Sequence, residues 1–170
     1  MPVLTPDHIQ PRDAWTTAPH AAHVDAKNHR VLYVHYTETP GRELTTPKRE
    51  HAAIRAIRDY HVNGRGYDDL AYSYVLASPW NRGGPATLYV GRGKDRIPAS
   101  QQGANQGNWS VAVIASEHEH IMHRTVLAIG WLAKYLDAVD VRPHSQQNAT
   151  SCPGPQLLAA IPEIRRLAHI

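Results

Sequence analysis

Trp109-Ser110-Val111-Ala112-Val113-Ile114-Ala115 is an almost unbroken apolar run, which reads as a strand covered on both faces. Strands of that kind run through the middle of sheets layered with helices on both sides. Working outward, Val31-Leu32-Tyr33-Val34-His35-Tyr36-Thr37 is a second apolar, β-branched run that delivers a polar side chain at its C-terminal end. Leu70 to Leu76 and Ala86 to Val90 read as two more strands, and Val139 to Val141 as a short fifth. Helical patterns lie between them. Thr46 is placed to cap a helix opened by Pro47 and running to about Tyr60, with Ala53, Ile54, Ile57 and His61 on one face and Asn63-Gly64 as its stop. Met122, Val126, Ile129, Leu132, Ala133 and Leu136 form the stripe of a helix over roughly 117–137. Leu157, Leu158, Ile161, Ile164 and Leu167 form that of a closing helix over 155–168. The expected fold class is α/β, a single mixed, mostly parallel central β-sheet flanked by helices. Residues 1–29, rich in Pro, His, Ala and Asp, read as an irregular arm packed on one domain spanning 1–170, with Arg12-Asp13-Ala14-Trp15 as its anchor.

A chain of 170 residues is long enough to bury a core without disulfide staples, and its single cysteine excludes an intrachain disulfide framework. The net charge of +3 is mild and no Lys/Arg run marks a nucleic-acid arm. A weakly basic surface suits an anionic cell wall, and equally an ordinary surface. No window approaches a membrane span, and Met1-Pro2-Val3-Leu4-Thr5-Pro6-Asp7 lacks the basic and apolar regions of a secretory signal. The expectation is a monomer made in the cytoplasm, with no nucleic-acid partner and no membrane insertion, that reaches any external target only through a separate pore.

The chemistry is concentrated in Arg142-Pro143-His144-Ser145-Gln146-Gln147-Asn148-Ala149-Thr150-Ser151-Cys152-Pro153-Gly154. A lone cysteine is inert core, a nucleophile or a metal thiolate, and the histidine eight positions before Cys152 favours the third. His35, at the end of its strand, is the best third ligand. Three protein ligands leave zinc one open position, the stoichiometry of a catalytic site, where bound water has a pKa of about 7.

Other motifs carry less. His118-Glu119-His120-Ile121-Met122-His123 is not His-Glu-x-x-His, since Met122 stands where the second His is required, and reads as a solvated helix start. Gly91-Arg92-Gly93 lacks the remaining features of a dinucleotide loop. Asn108-Trp109-Ser110 and Asn148-Ala149-Thr150 are formal glycosylation sequons without force in a chain that lacks a secretory signal. Trp80, Trp109 and Tyr67 are candidates to line a saccharide or peptide groove, with core packing as the alternative for at least one.

Taken in order, these segments resemble the zinc-dependent N-acetylmuramoyl-L-alanine amidases, the type-2 amidase and peptidoglycan-recognition-protein family, and phage endolysins in particular. Arg12-x-x-Trp15 is similar to the family's N-terminal element, Tyr33 to Thr37 to its His-Thr strand, and Tyr67 to Tyr74 to its Asp-Ile-x-Tyr strand. Tyr89 to Gly93 resembles its Gly-Arg-Gly turn, Gly103 to Val113 its Gly-Ala-Asn segment, and His144 to Gly154 its His-x(7)-Cys-Pro-Gly signature. The chain departs from the pattern at Tyr36 and Ser73, where the family often has His or Asn, and within Ala99-Ser100-Gln101-Gln102, where a His is common. In phage-type relatives the position of Thr150 is often Lys. The resemblance implies one Zn2+ held by His35, His144 and Cys152, with Tyr72 and Thr150 as catalytic residues and Tyr36, Arg92, Asn105 and Trp109 against the substrate. It implies hydrolysis of the bond between N-acetylmuramic acid and L-alanine in peptidoglycan, as the catalytic domain of an endolysin acting on the host wall after release through a membrane pore. The alternatives are a cytoplasmic muropeptide-recycling amidase, a non-catalytic peptidoglycan-binding module, and a zinc peptidase of the stem peptide.

Overall fold

The structure, a computed structural model, describes residues 8–21, 30–78 and 85–170. Its strands are Ile9–Gln10 (β1), Val31–Tyr36 (β2), Tyr74–Ala77 (β3), Thr87–Val90 (β4), Asn108–Val113 (β5) and Asp140–Pro143 (β6), and its α-helices Pro47–Asp59 (α1), His123–Tyr135 (α2) and Pro155–Ala168 (α3). The strands form one six-stranded sheet in the order β1-β4-β3-β5-β2-β6. Among the described residues only β3 and β4 pair antiparallel. The mixed, mostly parallel sheet expected from the apolar runs is therefore what forms, with β3 and β5 at its centre and β2 buried beside β5.

Alternation along the strands sorts their side chains into two cores. Leu32, Val34, Leu76, Val111 and Val113 pack with Ile129 and Leu132 of α2 and Leu157, Ile161 and Ile164 of α3. Val75, Ala77 and Tyr89 face the other way, towards Ile54 and Ile57 of α1, with Trp15 and Leu70. Gly130 is what lets α2 and α3 touch, because a Cβ there would lie 2.6 Å from the Cβ of Leu167. Among the described residues no helix is long and apolar enough to cross a membrane.

Several boundaries differ from the sequence reading. The strand expected over 70–76 begins only at Tyr74, because the backbone before it is held by side chains and a turn. Ser73 N–H donates to Ser110 Oγ at 3.1 Å and Ser110 N–H to Ser73 Oγ at 3.2 Å, replacing a strand rung. The helix expected from about 117 starts at His123. Residues 116–122 instead form a turn gathered by the Glu119 carboxylate, which accepts from Gly41 N–H at 2.8 Å and Ser116 N–H at 3.1 Å. Leu158, expected inward, is exposed, while the remainder of the α3 stripe is buried or packed against the core. α1 is capped as expected, Thr46 Oγ1 accepting from Arg49 N–H at 3.3 Å, and the chain continues into a π turn over Tyr60–Gly64.

Residues 8–21 of the arm are less irregular than its composition suggests, and the rest of it lies outside the described residues. Ile9 and Gln10 add a parallel strand to β4, too short to show a period. Arg12 and Trp15 anchor it: Trp15 Nε1 donates to the Val90 carbonyl at 2.9 Å, and Arg12 pairs with buried Asp69 at 2.9 Å. Asp69 also takes Arg58 at 2.8 Å. Burial works against its charge, but the hydrogen bonds from Arg12, the Leu70 amide and Arg58 hold the carboxyl below its ordinary range.

Candidate metal centre

The sheet itself brings the first two candidate ligands together. Val34 of β2 pairs with Pro143 of β6, so the next residue on each strand, His35 and His144, emerge side by side at the C-terminal ends of parallel strands. Their ring centroids are 4.4 Å apart. Because His35 alternates with Val34, it faces away from α2 and α3 and towards the α1 side. Cys152 returns to the pair through a loop closed by Ser145 N–H donating to the Cys152 carbonyl at 2.8 Å. The Pro-Gly that follows has a local reason. Gly154 adopts a φ of +83° and a Cβ there would lie 2.7 Å from the Glu117 carbonyl oxygen, so only glycine suits the entry to α3.

One donor atom from each of His35, His144 and Cys152 lies within 4.8 Å of the others. Cys152 Sγ is 3.7 Å from His35 Nδ1 and accepts the Tyr36 backbone N–H at 3.4 Å. Burial, followed by the neighbouring His144, pushes His35 well below the ordinary imidazole pKa, and burial lowers His144 as well. Burial pushes the Cys152 thiol up to about 12. A cysteine nucleophile needs a thiolate with an imidazolium beside it, and these groups are tuned the opposite way. Two neutral imidazoles and a thiol that gives up its proton only to a cation are instead a donor set suited to Zn2+.

The cluster lies in an open cavity of about 590 Å3. Tyr72, Tyr36 and Thr150 line it beside the ligands, and Tyr60, His61, Arg65 and Tyr67 line it on the α1 side. The Tyr72 ring is 5.4 Å from that of His35, and burial, then Cys152, raises its hydroxyl pKa far enough to keep it protonated. Its position is enforced from behind: a Cβ on Gly91 would collide with the Tyr72 carbonyl oxygen, which accepts Arg92 N–H at 2.9 Å. Thr150 Oγ1 accepts Cys152 N–H at 3.2 Å, and Tyr36 Oη lies 3.2 Å from Ser151 Oγ.

The structure does not bring Arg92, Asn105 or Trp109 to this cavity. Arg92 is buried, its guanidinium donating to the Leu70 carbonyl at 2.6 Å, the Ile97 carbonyl at 3.0 Å and Asp68 at 2.6 Å. Asn105 Oδ1 accepts the amides of Ser100 and Gln101, and Trp109 Nε1 donates to the Lys94 carbonyl. All three shape loops. Trp80 lies outside the described residues. Tyr67 is in the cavity wall. Sequence reasoning misses three residues. It places His61 with the core face of α1; the residue is buried, but it also lines the cavity, with Nδ1 accepting Ala71 N–H at 3.2 Å. Gln101 and Asn148 bond the two candidate ligand rings, through His35 Nε2 at 3.3 Å and His144 Nε2 at 3.0 Å. The sequence signal for Gln101 is that it falls within Ala99-Ser100-Gln101-Gln102, a stretch where the family commonly has a His.

No family model matches the chain. The N-acetylmuramoyl-L-alanine amidase of Mus musculus is 32% identical over 110 residues, covering 64% of this chain and 20% of that protein. The human enzyme of the same name is 28% identical over 162 residues, covering 88% and 27%. The chain thus spans about a fifth to a quarter of the length of these relatives. A variant of Drosophila PGRP-LB, solved in complex with tracheal cytotoxin, superposes with a TM-score of 0.77 at 21% identity, covering 93% of each chain. The chain has the fold of the peptidoglycan-recognition proteins and type-2 amidases. The named relatives, amidases and a peptidoglycan-recognition protein, are similar to it at 27–32% identity.

Proposed function

We propose that this protein is a zinc-dependent N-acetylmuramoyl-L-alanine amidase, cleaving the amide between the muramyl lactyl group and L-alanine of bacterial peptidoglycan. The observation that carries this reading is the convergence of His35, His144 and Cys152 in an open cavity beside Tyr72, in a chain similar to named amidases. His35, His144 and Cys152 would hold the ion. When bound, zinc supplies a Lewis acid for the amide carbonyl and lowers the pKa of water to about 7.

The remaining steps belong to the chain. Tyr36 N–H donates to Cys152 Sγ and stabilises it as a thiolate. Tyr72, kept protonated by burial, is a donor and not a base, and it hydrogen-bonds the carbonyl oxygen as negative charge develops there. Thr150 accepts from Cys152 N–H and so keeps its hydroxyl hydrogen for the substrate. His61 is neutral at neutral pH, since burial, Arg92 and Arg65 lower its pKa to about 4. With Nδ1 accepting from Ala71 N–H, its proton sits on Nε2, and its ring, 5.4 Å from that of Tyr72, stands in the wall as a neutral imidazole. The cavity volume is in the range that encloses a small ligand, as a muramyl-peptide junction requires.

Digestion of purified sacculi and defined muropeptides tests the reading. New L-alanine amino groups, lost on chelation and restored by zinc, are expected. Retention on sacculi without release of product would make the protein a binder, and new termini elsewhere in the stem a peptidase. A lysin role is the finer part of the proposal, and clearing of wall suspensions by added protein is its test.

A further inference from the structure

We propose that Gln101 and Asn148 are paired positioning residues that hold His35 and His144 as Nε2–H tautomers, so that both imidazoles present Nδ1 to the cation. This rests on the metal reading above. Gln101 is fully buried, and the Ala104 carbonyl, which can only accept, sets the orientation of its amide. Its Nε2 donates to the Ala104 carbonyl at 3.3 Å, while its Oε1 takes the Ser100 hydroxyl at 2.6 Å. The group 3.3 Å from His35 Nε2 is therefore a carbonyl oxygen, a pure acceptor, and the ring proton must sit on Nε2. That bares Nδ1, the atom 3.7 Å from Cys152 Sγ.

The same logic repeats at the second ring. Asn148 Nδ2 donates to the Gln102 carbonyl at 3.2 Å, which turns Oδ1 towards His144 Nε2 at 3.0 Å. Gln101 acts through its side chain and Gln102 through its backbone, so one dipeptide sets both tautomers. Both partners are neutral amides. A carboxylate in the same place would orient the ring too, but it would also make the ligand more basic and add negative charge beside the cation. An amide fixes the ring while leaving the ion more electrophilic.

The experiment joins zinc titration by chelator competition with 15N–1H spectra of histidine-labelled protein before zinc is added. The wild type is expected to show a hydrogen-bonded Nε2–H on both rings. Gln101→Met and Asn148→Leu are each expected to weaken zinc binding by about 10–100-fold and to lose the corresponding Nε2–H signal, while Gln101→Glu and Asn148→Asp retain affinity. Nδ1–H tautomers in the wild type, or unchanged affinity in both apolar variants, overturn the proposal. Should the wild type bind no zinc, the metal reading fails, and the spectra still judge the tautomers. Should Gln101→Met not fold, Asn148→Leu, at a partly exposed position, decides the matter alone: unchanged affinity there overturns the proposal.

Discussion

His144 stands beside His35, with ring centroids 4.4 Å apart, because the residues just before them, Pro143 and Val34, are register partners on adjacent parallel strands. Two of the three candidate ligands are thus spaced by the sheet, and only Cys152 depends on a loop. Removal of a strand ligand or of the loop ligand should abolish the same centre. In His35→Ala and in Cys152→Ser, zinc measured by atomic emission is expected to fall from one ion per chain to near none. Muropeptide hydrolysis should fall with it.

Tyr72→Phe separates binding from chemistry. The ring keeps its packing against His35 and His61, and zinc content should be unchanged. Loss of the hydroxyl should lower kcat by about 100-fold to 1,000-fold at saturating zinc, the usual effect of removing one donor to a developing oxyanion. A variant as fast as the parent would remove Tyr72 from the reaction.

Gly91→Ala reaches the same tyrosine from the back. The added methyl meets the Tyr72 carbonyl oxygen, so the turn or the tyrosine must shift. A loss of about 1–3 kcal/mol in denaturant unfolding is expected. Activity should fall by more than that instability explains. Normal turnover in a correctly folded variant would show that the Gly91 contact does not position Tyr72.

His61 contributes to the pH dependence of stability. Its pKa is about 4 in the folded protein and near 6.5 in the unfolded chain. Between those values the unfolded state binds the proton and the folded state refuses it. Stability therefore rises with pH across that window and falls on acidification, by about 3 kcal/mol in full. His61→Gln, whose amide oxygen can still accept Ala71 N–H, should flatten the slope of unfolding free energy between pH 6.5 and pH 4. An unchanged slope would assign the effect to other buried histidines.

Arg12→Leu breaks a buried ion pair and leaves Asp69, among the described residues, paired with Arg58. A cost of about 3–5 kcal/mol is expected in urea unfolding. The Arg12→Leu, Asp69→Leu double variant should recover part of it, because no buried charge is then left unmatched.

The elements that are plain in the sequence are those whose signal is local. The apolar runs of β2 and β5 announce a buried sheet, Thr46-Pro47 announces the start of α1, and His144 with Cys152-Pro153-Gly154 announces a metal-ligand pattern. Side chains acting across long separations hide the rest. Ser73 and Ser110, 37 residues apart, end a strand early by trading hydroxyls for rungs. Glu119 holds back the start of α2 by accepting the amide of Gly41, 78 residues before it. Gln101 stands 66 residues from His35, and no spacing rule links an amide in a polar loop to a ring at a strand end. Resemblance draws Arg92 and Asn105 to the substrate, yet both are consumed in holding loops.

Ile9 and Gln10, lying along β4, have a consequence beyond the arm itself. A sheet margin left bare offers its amides and carbonyls to any extended chain nearby, and this short segment occupies that position on β4. Ile9 and Gln10 thereby cover that margin of β4, and the Trp15 indole and the Arg12–Asp69 pair are the clasp that keeps them in place.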